Sequence, residues 1–198
     1  MENNNYSEIK RKLLHFFTIL YPILYNILPT RISILISGLL VLLDIIIETI
    51  RLSFPKFNEF ILKTLKGFYR EHEKNNISTL IWTFSGAFLT IFIFHDKTAV
   101  VTVSLLYMVF GDSAAGLIGS FFGRLKFQII NNKKSFEGSF SCFMVCFICG
   151  LIFLPWQVAL IGAIVATIIE VLPLPLNDNF WLPIISGFVL TFLKTYLF

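Results

Sequence analysis

The densest chemistry in the chain lies between Gly111 and Ser139, GDSAAGLIGSFFGRLKFQIINNKKSFEGS. On a helix, Ala115, Gly119 and Gly123 recur every four residues, with Asp112 at the edge of the same face. A basic stretch follows, bearing Arg124, Lys126, Lys133 and Lys134, and it runs into Ser135-Phe136-Glu137-Gly138. Ser135 is placed to cap a new helix, leaving free backbone N–H groups beside two lysines. A helix N-terminus in that setting suits an anion. With carboxylates nearby to hold Mg²⁺, the parts match a nucleoside triphosphate: lysines and N–H groups for phosphate oxygens, acids for the metal. Alone, the glycine stripe would read as helix packing.

Further ionisable groups sit inside or at the ends of apolar stretches. Asp44, Glu48 and Arg51 are spaced i, i+4 and i+7, one face of a helix. Glu170 ends another apolar run, and Asn177, Asp178 and Asn179 occupy the short turn after it. Ionisable residues in such places are expensive and face a bundle interior or a water-filled entrance. His15, behind Arg11 and Lys12, is suited to proton transfer or to lipid headgroups.

The elements that must position these groups are membrane helices. The chain is 56% hydrophobic and 14% charged, with 23 phenylalanines, too much apolar surface for one small water-soluble domain. A hydrocarbon core needs about 20 apolar residues per helix, and such stretches fall near 13–29, 32–51, 79–95, 98–122, 138–154, 156–172 and 180–197. The expected fold is therefore all-α, a polytopic membrane protein of seven spans forming one domain over residues 1–198. No cleavage site follows the first stretch, so it is expected to remain in the mature protein.

Thirteen of the 16 basic residues fall on the side that holds the N-terminus, which makes that side cytoplasmic by the positive-inside rule and puts Phe198 outside. Residues 55–70 interleave Phe57, Phe60, Ile61, Leu65 and Phe68 with Lys56, Lys63, Lys66 and Arg70, as an interfacial amphipathic helix or an ordinary basic loop would. Cys142, Cys146 and Cys149 share a helix face and read as small apolar packing residues. Ser78 or Thr79 is placed to cap the third span. No nucleic-acid partner is expected.

The pattern Asp112-x-x-Ala115-x-x-x-Gly119-x-x-x-Gly123, then Lys133-Lys134-Ser135-x-Glu137-Gly138, resembles the CTP-binding signature of the dolichol kinase family, which includes phytol and farnesol kinases and the CTP-dependent diacylglycerol kinase of yeast. Arg11-Lys12-Leu13-Leu14-His15 is similar to the opening of the phytol kinase branch. Asp44 to Arg51 with Leu52 and Pro55, and Glu170 with Asp178-Asn179 before Leu182-Pro183, resemble its second-span and closing segments. The block is also distantly similar to phosphatidate cytidylyltransferases, whose closing segment has no counterpart here.

The resemblance implies a multi-pass kinase of a bacterial, archaeal or endoplasmic reticulum membrane. It would transfer phosphate from CTP to a lipid alcohol, a polyprenol, a phytol-like prenol or diacylglycerol. Gly119, Gly123, Arg124, Lys126, Lys133, Lys134, Ser135 and Gly138 would bind nucleotide. Asp112, Glu137 and Asp178 would hold Mg²⁺ or activate the hydroxyl. Arg11, Lys12, His15, Asp44, Glu48, Arg51, Glu170 and Asn179 would contact lipid or support the site. Within the glycine stripe, Gly123 is expected against the nucleotide and Gly119 mainly in helix contact.

Overall fold

In lipid a backbone must satisfy its own hydrogen bonds, so apolar stretches of this length fold as helices. The computed structural model describes Lys12, residues 15–65, Tyr69, residues 71–129 and residues 132–196; Arg11, Lys66, Phe68 and Arg70 lie outside the described residues. A 3₁₀ turn, Phe17–Ile19, leads into α1 (Leu20–Ile27), followed by α2 (Thr30–Ser53), α3 (Pro55–Thr64), α4 (Thr79–Ile93) and α5 (Thr98–Leu106). A π-helical turn, Tyr107–Gly111, joins α5 to α6 (Asp112–Phe122) without a break. Then come β1 (Lys126–Ile129), β2 (Asn132–Ser135), α7 (Phe136–Phe153), α8 (Trp156–Val171) and α9 (Asp178–Tyr196).

Each of the seven apolar stretches thus contains a helix. Three, Thr30–Ser53, Thr98–Phe122 and Phe136–Phe153, are long and apolar enough to cross a membrane, and three shorter apolar helices accompany them. The basic stretch forms a two-stranded antiparallel hairpin, pairing Lys126 with Ser135 and Phe127 with Lys134. It is the one departure from an all-helical fold among the described residues.

Burial sorts the helices. In the apolar window of Thr98–Phe122, 67% of residues are buried, against 22% in α2 and in α7, so α5 and α6 form the axis. Around it, α9 packs on α4, α5 and α8, and α7 on α6 and α8; α2 lies outside, against α4. The outward faces of α2 and α7 are greasy, with Leu39, Leu42, Ile46, Phe140 and Ile152 all exposed. Such surface needs hydrocarbon as its solvent.

Pro55 opens α3, where its missing N–H costs nothing. The amphipathic segment ends earlier than its composition suggests, at Thr64, and none of its residues is buried. Cys142 and Cys146 are buried free thiols against Gly111, where an added Cβ would stand 2.5 Å from the Cys146 Sγ. Their face is a packing surface, as expected of small apolar side chains.

Candidate active site

The starts of α4, α6 and α9 converge with Lys12, His15, Leu65, Tyr69 and Glu73 on one partly open cavity. Its wall, which includes the apolar Leu65 and Leu80, carries the polar side chains of Lys12, His15, Tyr69, Glu73, Ser78, Thr79, Thr83, Asp112 and Asn177–Asn179. The α9 end approaches closely because Gly86 of α4 has no side chain; a Cβ there would stand 2.7 Å from the Asn179 carbonyl oxygen. Leu176, with φ of 73°, holds the tight turn that presents these three residues.

Asp112 is buried at the junction of the π-turn and α6. Lys12 donates to its Oδ2 at 2.5 Å and to its backbone oxygen at 3.0 Å. The His15 Nε2 lies 3.7 Å from the same Oδ2 and 3.1 Å from the Met108 carbonyl oxygen. π-Turns recur at functional sites, and here the Met108 carbonyl takes His15 as a partner from outside its own helix.

A second pair adjoins the first through Asp178. Lys134, at the end of β2, stands 2.5 Å from the Glu170 Oε1 and 3.7 Å from the Asp178 Oδ2. Burial pulls its ammonium toward neutrality, but Glu170 and Asp178 outweigh burial and hold its pKa above the ordinary lysine value. Lys134 therefore stays charged at any physiological pH. Two oxygens here are buried without a partner, the Glu170 Oε2 and the Asn179 Oδ1.

Behind the cavity wall Arg51, fully buried, spends every donor it has. Nε and Nη2 clasp both oxygens of Glu48 at 2.8 Å, Nη2 also reaches the Asn76 carbonyl, and Nη1 takes Asn58 Oδ1 and the Lys74 carbonyl. The guanidinium also stands 5.1 Å from the Tyr69 ring centroid. That phenol is pushed up to about 12 by burial and by the Glu48 carboxylate. Glu48 and Arg51 thus act as a pin that fastens residues 74–78 and α3 to the end of α2. The start of α4 is secured by carboxylates: Glu48 accepts from the Ser78 N–H at 3.0 Å and Glu73 from that of Thr79 at 2.9 Å. Neither Ser78 nor Thr79 supplies the expected side-chain cap.

Other expected site residues lie apart. Ser135 does cap α7, accepting from the Gly138 N–H at 3.1 Å. Gly119, Gly123 and Gly138 form the close contact of α6 with that cap; a Cβ on Gly123 would meet Ser135 at 2.8 Å and one on Gly119 at 3.0 Å. Both glycines therefore face the same hydroxyl. Arg124 and Lys126 are exposed, and the Lys133 side chain lies outside the described residues.

Glu137 meets the loop that leaves α6: its Oε1 accepts from the N–H groups of Arg124 and Leu125 at 3.0 Å each, while its Oε2 is buried without a partner. The loop leaving α6 has unsatisfied N–H groups, and a carboxylate on the facing helix start is their nearest acceptor. Among the described residues no three His, Cys, Asp or Glu side chains group closely enough to cage a metal. A nucleotide-borne Mg²⁺ asks for less, one or two carboxylates with phosphates and water completing the octahedron. Asp112 and Asp178, with the unpartnered Glu170 and Asn179 oxygens, fit that demand as hard donors.

Fold and site together define a helical membrane protein with a lysine- and carboxylate-lined cavity at one end. No family profile and no solved structure matches the chain. Its relatives include an uncharacterised protein of Rickettsia prowazekii, 27% identical over 89% of this chain and 90% of that one. They also include the CTP-dependent diacylglycerol kinases 1 of Saccharomyces cerevisiae, 28% identical over 76% of this chain, and of Eremothecium gossypii, 27% identical over 91%. The chain spans 61% and 65% of the length of those two kinases. The likeness to the diacylglycerol and polyprenol kinase family, read from the block between Asp112 and Gly138, is supported by these relatives.

Proposed function

We propose that the protein is a CTP-dependent kinase of a membrane lipid alcohol, with seven spans, a cytoplasmic N-terminus and a cavity that takes nucleotide from the cytosol. The observation that carries this is the pairing of lysines with carboxylates at and beside the cavity: Lys12 with Asp112 in its lining, and Lys134 with Glu170 and with Asp178, which also lines it. Each pair is a ligand site in its resting state. Phosphates would draw the ammonium groups to themselves and free the carboxylates, a rearrangement within the reach of a lysine side chain.

Phosphoryl transfer demands mostly positioning and charge neutralisation. The lipid hydroxyl oxygen bonds the terminal phosphorus as the bridging P–O bond breaks, CDP departs and the hydroxyl proton passes to a base. Asp112, with His15 beside it, is the buried group placed to receive that proton. Lys12 and Lys134 hold the phosphates. Mg²⁺ arriving with the nucleotide would supply further neutralisation of phosphate oxygens, with Asp178 as a protein donor.

The reading is tested with protein purified in detergent, γ-labelled CTP, Mg²⁺ and a panel of dolichol-type polyprenol, phytol and diacylglycerol. Label recovered in the lipid phase with stoichiometric CDP is the expected result. Release of pyrophosphate with the nucleotide retained on lipid would make it a cytidylyltransferase instead. No transfer to any alcohol overturns the proposal.

A further inference from the structure

Two residues of the cavity wall have no part in its polar chemistry, Leu65 and Leu80. Leu65 closes α3, its N–H donating to the Ile61 carbonyl at 2.8 Å, and it ends a stripe. Phe57, Ile61 and Leu65 stand at i, i+4 and i+8, one above another on one helix face, and all three are half-buried. The exposed Phe60 ring stacks on that of Phe57 at 6.5 Å and widens the outer end. Over eight residues the stripe is about 12 Å long, with its inner end in the cavity wall. Lys56, Glu59 and Lys63 are exposed on the opposite arc of the helix, as on a helix lying between headgroups and acyl chains. The position of α3 agrees: α2, long and apolar enough to cross a membrane, ends at Ser53, and α3 begins at Pro55. Asn58 holds it there, its Oδ1 accepting from Arg51 at 2.9 Å and its Nδ2 donating to the Lys74 carbonyl at 2.9 Å.

We propose that the hydrocarbon chain of the lipid alcohol lies along the α3 stripe and enters the cavity past Leu65 and Leu80. This rests on the kinase reading above. A lipid whose hydroxyl must reach a polar cavity has a chain that cannot follow it into water. An apolar track from the membrane edge to the cavity wall keeps the chain in apolar surroundings while the hydroxyl end moves among the polar groups. The track offers a nucleotide nothing, since Phe57, Ile61 and Leu65 carry neither a charge nor a side-chain donor for phosphate or ribose. The polar side chains of the same cavity, Lys12 and Asp112 among them, can take the hydroxyl and the phosphates but give a hydrocarbon chain no place to lie. The two kinds of wall thus assign the two substrates to different approaches, and α3, fastened through Asn58, fixes the direction from which the lipid comes.

The test uses the full chain in mixed micelles and has two arms. In turnover with CTP and Mg²⁺, wild type, Phe57→Gln and Ile61→Gln are compared on dioleoylglycerol, whose chains span the stripe, and on dibutyrylglycerol, whose chains are too short to do so. Each variant is expected to raise the half-saturating dioleoylglycerol fraction about tenfold, with the dibutyrylglycerol and CTP constants within about twofold of wild type. Equal effects on both lipids, no effect on either, or a shift in the CTP constant alone overturn the track. In the second arm, wild type without nucleotide is photolabelled with a diacylglycerol carrying a diazirine on one acyl chain, and the sites are mapped by mass spectrometry. Labelling within Pro55–Leu65 that excess dioleoylglycerol suppresses and excess phosphatidylcholine does not is the expected result. Its absence overturns the track, and this arm decides if the variants do not fold. Phosphate transfer without such labelling removes the track and leaves the kinase; such labelling without any transfer does the reverse.

Discussion

Two clusters of buried charge in this protein are built from the same kinds of side chain and end in opposite states. At the end of α2, Arg51 meets Glu48 on both oxygens and fills its remaining donors with backbone carbonyls and Asn58. Between α6, α8 and α9, Lys12 and Lys134 each hold a carboxylate by one oxygen, while Glu170 Oε2 and Asn179 Oδ1 stay unpartnered. The first cluster is saturated and has nothing left to offer a ligand. The second is undersatisfied beside a cavity. A fully satisfied buried network rigidifies, whereas a partly satisfied one leaves donors and acceptors for something else.

The comparison breaks most visibly at Arg51. Arg51→Ala leaves Glu48 buried without its partner and should cost about 3–5 kcal/mol of stability, read as a large fall in melting temperature in detergent. Arg51→Lys should recover only part of it, since an ammonium cannot reproduce the bidentate fork. Normal stability with abolished turnover would reverse the roles assigned to the two clusters.

Lys134→Met tests the other side. Loss of a preorganised phosphate-binding charge should lower turnover by about two orders of magnitude, with a smaller thermal effect than Arg51→Ala. The pH dependence sharpens this. Because the folded-state pKa of Lys134 is raised, its contribution to stability is fully present below the ordinary value of 10.5 and is lost as pH rises through the higher folded value. Wild type should therefore lose melting temperature in strongly alkaline buffer by an increment that Lys134→Met lacks.

The smallest expected effect separates packing from binding at α6. Gly123→Ala drives a Cβ into Ser135 and the Gly119 carbonyl and should cost about 1–3 kcal/mol. Gly119→Ala, with 3.0 Å to the Ser135 Oγ and 3.7 Å to Gly138 Cα, should cost less. A raised CTP constant in folded Gly123→Ala alone would put nucleotide against that residue. Unchanged constants in both would leave the stripe to helix contact.

What could be read in advance followed local rules. Apolar length marked the helices, i+4 spacing marked the α6 face that meets α7, and a serine three residues before a glycine marked the cap at Ser135. The pairs that build the cavity obey no such rule. Lys12 and Asp112 are 100 positions apart, and Lys134 and Glu170 are 36 apart, so only the packed bundle brings them together. Glu170 was visible as an expensive charge at the end of an apolar run, but not as the partner of Lys134. The position of Glu137 at a helix start was legible, whereas its partners, the N–H groups of Arg124 and Leu125, belong to the far side of a hairpin. The π-turn carries no spacing signal at all.

That turn has a geometric consequence of its own. An α-helix advances by about 100° per residue, and one wide turn holds a residue more than the regular ladder would, so α6 leaves it out of phase with α5. Without the slip, the angular register between Val100–Leu105, which face the bundle on every side, and the stripe from Ala115 to Gly123 would change. Asp112, the first residue past the turn, would rotate by about a quarter of a revolution away from Lys12 and His15. The wide turn works as a gear tooth, letting one continuous helix keep one phase for the axis of the bundle and another for the cavity. Deleting a single residue within Tyr107–Gly111 would disengage it, and the helix, shorter by one residue, would stay as apolar as before.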